Sequence, residues 1–389
     1  MKVAIIHEWL EHYAGSERVV GELLKCYPQA DLFAVVDFLP EAERGFLGGR
    51  TVRTSFIQRL PFARGHFRNY LQLMPLAIEQ FDLSGYDLVI SSNHAVAKGV
   101  LTGPRQVHVS YVHSPIRYAW DLQSQYLRES GLERGPKGLY VRWALHRMRL
   151  WDAMSANGVD LFLANSSYIA RRIQKAWRRE ALVVPPPVAV ERFTPGEGAR
   201  AGYLVASRFV PYKRVELIAE AFRDLPACRL TIVGAGTNAP QVEKAAAGAA
   251  NITLLPPVPH AELVRLMQGA KAMIFAAEED FGITMVEAQA CGTPVIAFAE
   301  GGARDIFPAG ASVPTGILFP EQSKEAIAAA IGRFEALEEG ISAEACRANA
   351  MRFSEMLFRE RLMGAVERAM GMFGRAAGLS AAGHAIGEE

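Results

Sequence analysis

The sequence predicts an α/β protein built on two parallel, doubly wound sheets, and three observations predict it. Short apolar runs alternate with amphipathic stretches along both halves of the chain, as in repeated strand–helix units. Glycines and prolines punctuate the junctions between them. At 389 residues, 50% hydrophobic and 21% charged, the chain has the apolar content for two large cores and not the composition of a disordered polymer.

In the first half, residues 3–6 read as a strand. Residues 16 to about 27 read as a helix with Ser16 as its N-cap. Residues 31–36, 87–92, 107–113 and 161–165 read as further strands. A long helix rich in Arg and Trp, roughly 138–156, lies between the last two. The run 181–184 meets Pro185, Pro186 and Pro187, which cannot continue a central strand. From there to Gly202 the composition turns to Pro, Gly and Glu, as in an interdomain linker.

A second alternating series begins at Tyr203. Strands are expected at 203–206, 230–233, 252–255, 272–275 and 295–297, with helices at 215–225, 240–247, 262–269 and 283–290. Amphipathic helices run from about 324 to 370, and the Ala/Gly/Ser-rich tail at 374–389 reads as disordered. The chain therefore divides into Rossmann-like domains at 1–195 and 196–353, facing each other across a cleft.

Composition narrows the function. A net charge of +1 argues against a general nucleic-acid binder. Cys26, Cys228, Cys291 and Cys346 are scattered without a C-x-x-C pair, which points to a reducing compartment. The start of the chain meets His7-Glu8 too early for a signal peptide, and no apolar run is long enough to span a bilayer. These features predict a cytoplasmic protein with peripheral membrane contact left open. No Asp-x-Asp and no His/Cys cluster with ligand spacing occurs, so no metal or other cofactor is expected.

The most informative stretch runs from Glu279 to Val295. A buried strand at 272–276 precedes it, Phe281-Gly282 opens a helix, and Gly292 and Pro294 close it. Glu279 then sits at a strand's C-terminal edge, and Glu287 lies in the helix that follows. In an open α/β sheet that edge binds ligands. A helix N-terminus attracts anions, and carboxylates accept O–H bonds from hydroxyl-rich ligands. A sugar-nucleotide fits both requirements, while a stray Glu on an ordinary strand–loop–helix unit is the plainer alternative.

Other candidates lie on similar edges. Arg208 and Lys213 follow strand 203–206 and suit a diphosphate leaving group, or are solvated loop cations. The loop from Trp9 to Glu17 contains Gly15, which permits close backbone approach to an anion, or is an ordinary turn. His113 ends a strand ahead of Ser114-Pro115 and reads either as a ligand to a sugar hydroxyl or as structural. Gly234-Ala235-Gly236-Thr237-Asn238-Ala239 resembles a dinucleotide fingerprint but lacks the acidic ribose partner, so a tight βα turn is the simpler reading. Arg53, Arg59, Arg64 and Arg68 with Phe62 and Phe67, and Arg142, Arg147 and Arg149 with Trp143 and Trp151, either meet anionic lipid or pack their stems on the core.

Together these residues resemble glycosyltransferase family 4, retaining enzymes of the GT-B fold. Ser207-Arg208 with Lys213 is similar to the family's Gly-Arg…Lys element, with Ser207 departing from Gly. Glu279-Asp280-Phe281-Gly282 through Glu287-Ala288 to Cys291-Gly292-Thr293-Pro294-Val295 resembles its Glu-x7-Glu element. Gly15-Ser16-Glu17 resembles the family's Gly-rich loop, with Ala14 replacing one of its two usual glycines. The stretch His113-Ser114-Pro115…Arg117-Tyr118…Trp120-Asp121 is similar to bacterial mannosyltransferases of O-antigen and other surface polysaccharides.

The resemblance implies roles. Arg208 and Lys213 hold the diphosphate, and Glu287 binds the ribose. Glu279 and the backbone N–H groups of Phe281, Gly282 and Ile283 hold the donor sugar. Val258 contacts the base through its backbone, Gly15 approaches the phosphate, and His113 lies near the anomeric carbon. A last helix, 354–372, returns to the first domain. The implied reaction is metal-independent hexosyl transfer with retention, from GDP-mannose to a glycan or lipid-linked acceptor at the inner face of the plasma membrane. No carboxylate stands as an obvious nucleophile, which favours front-face attack. The alternatives are a UDP- or dTDP-sugar donor, a GT-B-like epimerase or phosphorylase, and a non-catalytic sugar-nucleotide-binding subunit.

Overall fold

A computed structural model describes residues 1–308, 313–337 and 341–374. The chain forms two compact units. Of the described residues, one unit comprises 1–165, 169–184 and 359–374; the other comprises 185–308, 313–337 and 341–358 with Ser166–Tyr168. The division falls after Val184, earlier than the boundary expected at 195. The three prolines at 185–187, rather than the Gly- and Glu-rich stretch beyond them, mark the change of unit. The tail expected to be disordered lies outside the described residues, apart from Gly374.

The first unit is a seven-stranded parallel sheet. Its strands are β1 (Val3–Leu10), β2 (Asp31–Asp37), β3 (Val52–Thr54), β4 (Leu88–Asn93), β5 (Val107–Val112), β6 (Leu161–Ala164) and β7 (Ala181–Val183), in the spatial order β3-β2-β1-β4-β5-β6-β7. The order reverses between β1 and β4, so ligands are expected at the C-terminal ends of those two strands. Strand β1 runs on through His7 and Glu8 instead of stopping at Ile6. Its inner residues, Ala4, Ile5 and Ile6, are fully buried, as parallel strands covered on both faces require.

The helix Gly15–Cys26 follows β1. Its N-cap is Ala14, not Ser16. The Glu17 carboxylate reaches back to the Ala14 N–H at 3.0 Å, so the helix start is secured by the acidic half of a capping box. The long helix is Gly135–Ser155, and the last helix, Glu355–Ala369, ties into this unit where Arg359 pairs with the buried Glu22 of Gly15–Cys26.

The second unit is a six-stranded parallel sheet of β8 (Tyr203–Ala206), β9 (Leu230–Val233), β10 (Ile252–Leu255), β11 (Ala272–Phe275), β12 (Val295–Phe298) and β13 (Gly316–Phe319), ordered β10-β9-β8-β11-β12-β13. Its order reverses between β8 and β11. The loops leaving those strands carry Arg208–Lys213 and Glu279–Gly282. Apolar side chains cover both faces: Val205, Ile232 and Ile274 with Ile218 and Phe222 on one side, Leu204, Val233 and Met273 with Met285 and Val286 on the other.

Candidate functional site

The second unit brings most of the predicted residues to one edge. After β8 the backbone turns over Ser207–Val210 into a short 3-10 turn, Pro211–Lys213, and Arg214 takes a left-handed conformation (φ +53°) that starts the helix Val215–Arg223. After β11 the chain crosses Glu279 and reaches Gly282 at φ +96°, the N-cap of the helix Ile283–Ala290. Only a residue without Cβ sits there easily: a methyl group would meet the Met285 side chain at 2.2 Å.

Across this junction the Lys213 ammonium pairs with the Glu279 carboxylate, both largely shielded from solvent. The ammonium also lies 5.2 Å from the centre of the Phe275 ring, a cation–π contact that holds the lysine stem against the strand end. Arg208 is exposed, and its guanidinium has no partner among the described residues. Glu287 is 7% exposed on the first turns of Ile283–Ala290. That helix leaves its first N–H groups without intrahelical acceptors. Phe281, by contrast, is a core side chain stacked edge-on to Phe353, so only its backbone is available to a ligand. Ile283 and Val258 are half-buried against the same core. Thus Arg208, Lys213, Glu279, Gly282, Ile283 and Glu287 belong to one edge, with Val258 on the β10 side of it.

Two supports of this edge carry no motif of their own. The Glu279 carbonyl accepts from the Gly302 N–H at 2.8 Å, and a Cβ on Gly301 would strike that carbonyl at 2.1 Å. The tandem Gly301-Gly302 after β12 is the sequence signal for it. Gly234 and Gly236 explain the fingerprint-like run after β9. A Cβ on Gly236 would lie 2.2 Å from the Phe209 carbonyl, and one on Gly234 1.9 Å from that of Ser207. These glycines admit the Arg208 loop, which answers the dinucleotide alternative with a packing reason.

The first unit assembles a second group at the ends of β1, β4 and β5. His113 Nε2 lies 2.8 Å from Ser92 Oγ. Ser92 Oγ lies 3.2 Å from His7 Nδ1, and His7 Nε2 lies 3.3 Å from Glu17 Oε1. Desolvation, then the neighbouring His94 and His7, push His113 down to about 3, so it is neutral near pH 7. Burial alone would raise Glu17, but the hydrogen bonds it accepts, first that from His7, outweigh it and hold the carboxyl at about 2. Of this group only His113 and the Gly15 loop were singled out from sequence. Gly15 is the first residue of its helix and has no left-handed conformation.

Beside them Glu8, fully buried, accepts from four consecutive backbone N–H groups, His94 to Ala97, at 2.7–3.0 Å. Of the arginine clusters, Arg53 and Arg68 are held by Asp31 and Glu11, while Arg142 and Arg149 donate to backbone carbonyls. Among the described residues no group of three or more His, Cys, Asp or Glu could hold a metal, and no helix is long and apolar enough to cross a membrane.

Comparison with known proteins agrees with this architecture. The family model for Glycosyltransferase Family 4 matches residues 13–192, and that for Glycosyl transferases group 1 matches 194–353. A D-inositol 3-phosphate glycosyltransferase of Geodermatophilus obscurus is 37% identical, with 48% of each chain covered. One from Acidothermus cellulolyticus is 32% identical, with 53% of each covered. The chain thus spans about half the length of these relatives. Among solved structures, sucrose-phosphate synthase from Thermosynechococcus elongatus superposes with a TM-score of 0.71 at 18% identity, over 95% of this chain and 99% of the other. Anabaena Alr3699/HepE in complex with UDP superposes with 0.68 at 17%, over 95% and 100%. Two parallel-sheet units of this order, with both family models matching in succession, place the chain in glycosyltransferase family 4, with the GT-B fold.

Proposed function

We propose that this protein transfers a hexosyl group from a nucleoside-diphosphate sugar to an acceptor hydroxyl, with retention and without a metal cofactor. The observation that carries the proposal is the Lys213–Glu279 pair at the reversal point of the second sheet, with exposed Arg208 on the same loop and Glu287 on the helix beyond. In the reaction, Arg208 and Lys213 meet the charge that develops on the diphosphate as the glycosidic C–O bond breaks. Glu279 accepts from sugar hydroxyls and Glu287 from the ribose. The acceptor oxygen attacks from the face the diphosphate leaves, and its proton passes to the departing phosphate oxygen.

GDP-mannose is the donor we favour, on the likeness of the His113–Asp121 stretch to mannosyltransferases. The relatives named for D-inositol 3-phosphate support a different acceptor, a phosphorylated polyol. A thermal-shift screen with GDP-mannose, UDP-glucose, UDP-GlcNAc and dTDP-rhamnose tests the donor, because a cognate ligand raises the melting temperature. No shift with any of them would sink the sugar-nucleotide reading. The anomeric proton of the product tests retention; an inverted linkage refutes it.

We further propose peripheral contact with an anionic membrane through the helix Gly135–Ser155. Leu139, Tyr140, Trp143, Leu150 and Met154 are exposed on it beside exposed Lys137 and Arg147. A lipid-linked acceptor suits that location.

A further inference from the structure

His113 reaches the end of β5 with one ring nitrogen committed to Ser92 and the other, Nδ1, with no hydrogen-bond partner among the described residues. Which nitrogen carries the proton decides whether the residue offers a donor or an acceptor. The surrounding chain of contacts ties that choice to the proton on His7. The Glu17 carboxylate can only accept, so the hydrogen on His7 Nε2 points at it. Where His7 carries that one proton alone, its Nδ1 accepts. The Ser92 hydroxyl is the group against that nitrogen, and its single proton is therefore turned toward His7. Ser92 Oγ then has only lone pairs left for His113, and His113 Nε2 must donate.

We infer that His7 carries a single proton, on Nε2, and that Glu17, His7 and Ser92 are positioning residues that fix His113 as its Nε2–H tautomer and present its Nδ1 lone pair to a hydroxyl of the sugar substrate. Three features of the relay support this. His7 and Ser92 are completely buried, so water does not compete for their hydrogen bonds. Glu17 is tied to the backbone N–H of Ala14 and to Ser16, so its orientation is set by the helix start. His113 itself is anchored through its backbone, donating to the Asn93 carbonyl and accepting from Asn165, so its ring turns about a fixed point. The direction of the relay is built into the order carboxylate, imidazole, hydroxyl, imidazole. The part that involves a substrate hydroxyl rests on the transferase reading; the tautomer does not.

The test is 15N NMR of the full chain labelled at histidine, at pH 8 and without donor, with His113 assigned by His113→Gln. The expected pattern is a protonated, pyrrole-type Nε2 and a bare, pyridine-type Nδ1. A protonated Nδ1 on His113 overturns the inference, because it means that a doubly protonated His7 has reversed the relay. Ser92→Ala should replace the single tautomer by a mixture, and Ser92→Thr should restore it; an unchanged His113 pattern in Ser92→Ala also overturns the inference. Where turnover is measurable, Ser92→Ala should lower kcat on the order of tenfold, the value of one hydrogen bond, with Ser92→Thr recovering most of it. A chain that shows the tautomer but no transfer to any acceptor defeats the transferase reading and leaves the relay standing.

Discussion

Lys213 and Glu279 form an ion pair across the point where the second sheet reverses its strand order. One residue ends the loop after β8 and the other begins the loop after β11, so the pair spans the crevice where an open α/β sheet receives its ligand. Each residue orients the other. In the proposed reaction a donor engages both, the ammonium through phosphate oxygens and the carboxylate through hydroxyls.

Lys213→Ala and Glu279→Ala should each cost about 3–4 kcal/mol of barrier in a transfer assay while leaving far-UV circular dichroism intact. The double variant should lose less than the sum of the two, since the residues act as a pair. Full activity in either single variant would remove the site assignment. Chelation with EDTA should leave the wild-type rate unchanged.

Glu287→Ala should act on donor affinity. A hydrogen bond to a charged group contributes about 1.5–3 kcal/mol, so the Kd for the nucleotide-sugar should rise about tenfold to a hundredfold. Titration with the free nucleoside diphosphate should show the same loss. Equal affinity of variant and wild type for that nucleotide would take Glu287 off the ribose.

Gly236→Ala should destabilise the chain by about 1–3 kcal/mol, because its Cβ meets the Phe209 backbone, which cannot step aside cheaply. The displaced Arg208 loop should also weaken diphosphate binding. Gly332→Ala, on a helix with open space around it, is the control and should hold or raise the melting temperature.

Acid should destabilise the first unit through His108. This residue is fully buried between Ser91 Oγ and the Gly158 carbonyl, and burial pushes it down to about 4. Below the ordinary histidine value of about 6.5, the unfolded chain takes up a proton that the folded chain refuses. Stability is therefore unaffected above that pH and falls between about 6.5 and 4, by up to about 1.4 kcal/mol per pH unit. Urea unfolding at stepped pH should show this slope, and His108→Asn should lessen it, leaving the part that His113, pushed down to about 3, contributes.

Trp143→Glu and Leu150→Glu should reduce co-sedimentation with vesicles containing anionic lipid, with little change in melting temperature, since both side chains are exposed. Unchanged sedimentation would leave the helix as an ordinary solvent face.

Much of this was legible in the sequence, for physical reasons that vary by element. Strands β11 and β12 are continuous apolar runs, β4 opens on Leu88-Val89-Ile90 and β5 carries Val107, Val109 and Val112, while the Glu279 edge is framed by Gly282, Gly292 and Pro294, residues that punctuate structure wherever they fall. Of the edge strands, β10 falls at 252–255 as expected, whereas β3 and β13 do not show in the sequence. The prolines after residue 184 exclude a central strand, and β7 is indeed the last strand of its sheet, where proline removes no ladder bond. Strand β3 is three residues long and leaves no period to read. The relay was illegible because His7, Ser92 and His113 meet only through strand register, His7 opposite Ser92 on β4, and no local pattern announces pairing across 85 residues.

The Glu8 carboxylate in its ring of four amides is, in effect, a counter-ion that the chain carries for itself. The turn after β4 is therefore a socket already plugged, and phosphate cannot lodge there however well the backbone would suit it. Its removal, as in Glu8→Ala, would turn a self-contained turn into one that depends on the buffer. Folding stability would then rise with added sulfate or phosphate, a chemical complementation that the wild-type chain has no reason to show.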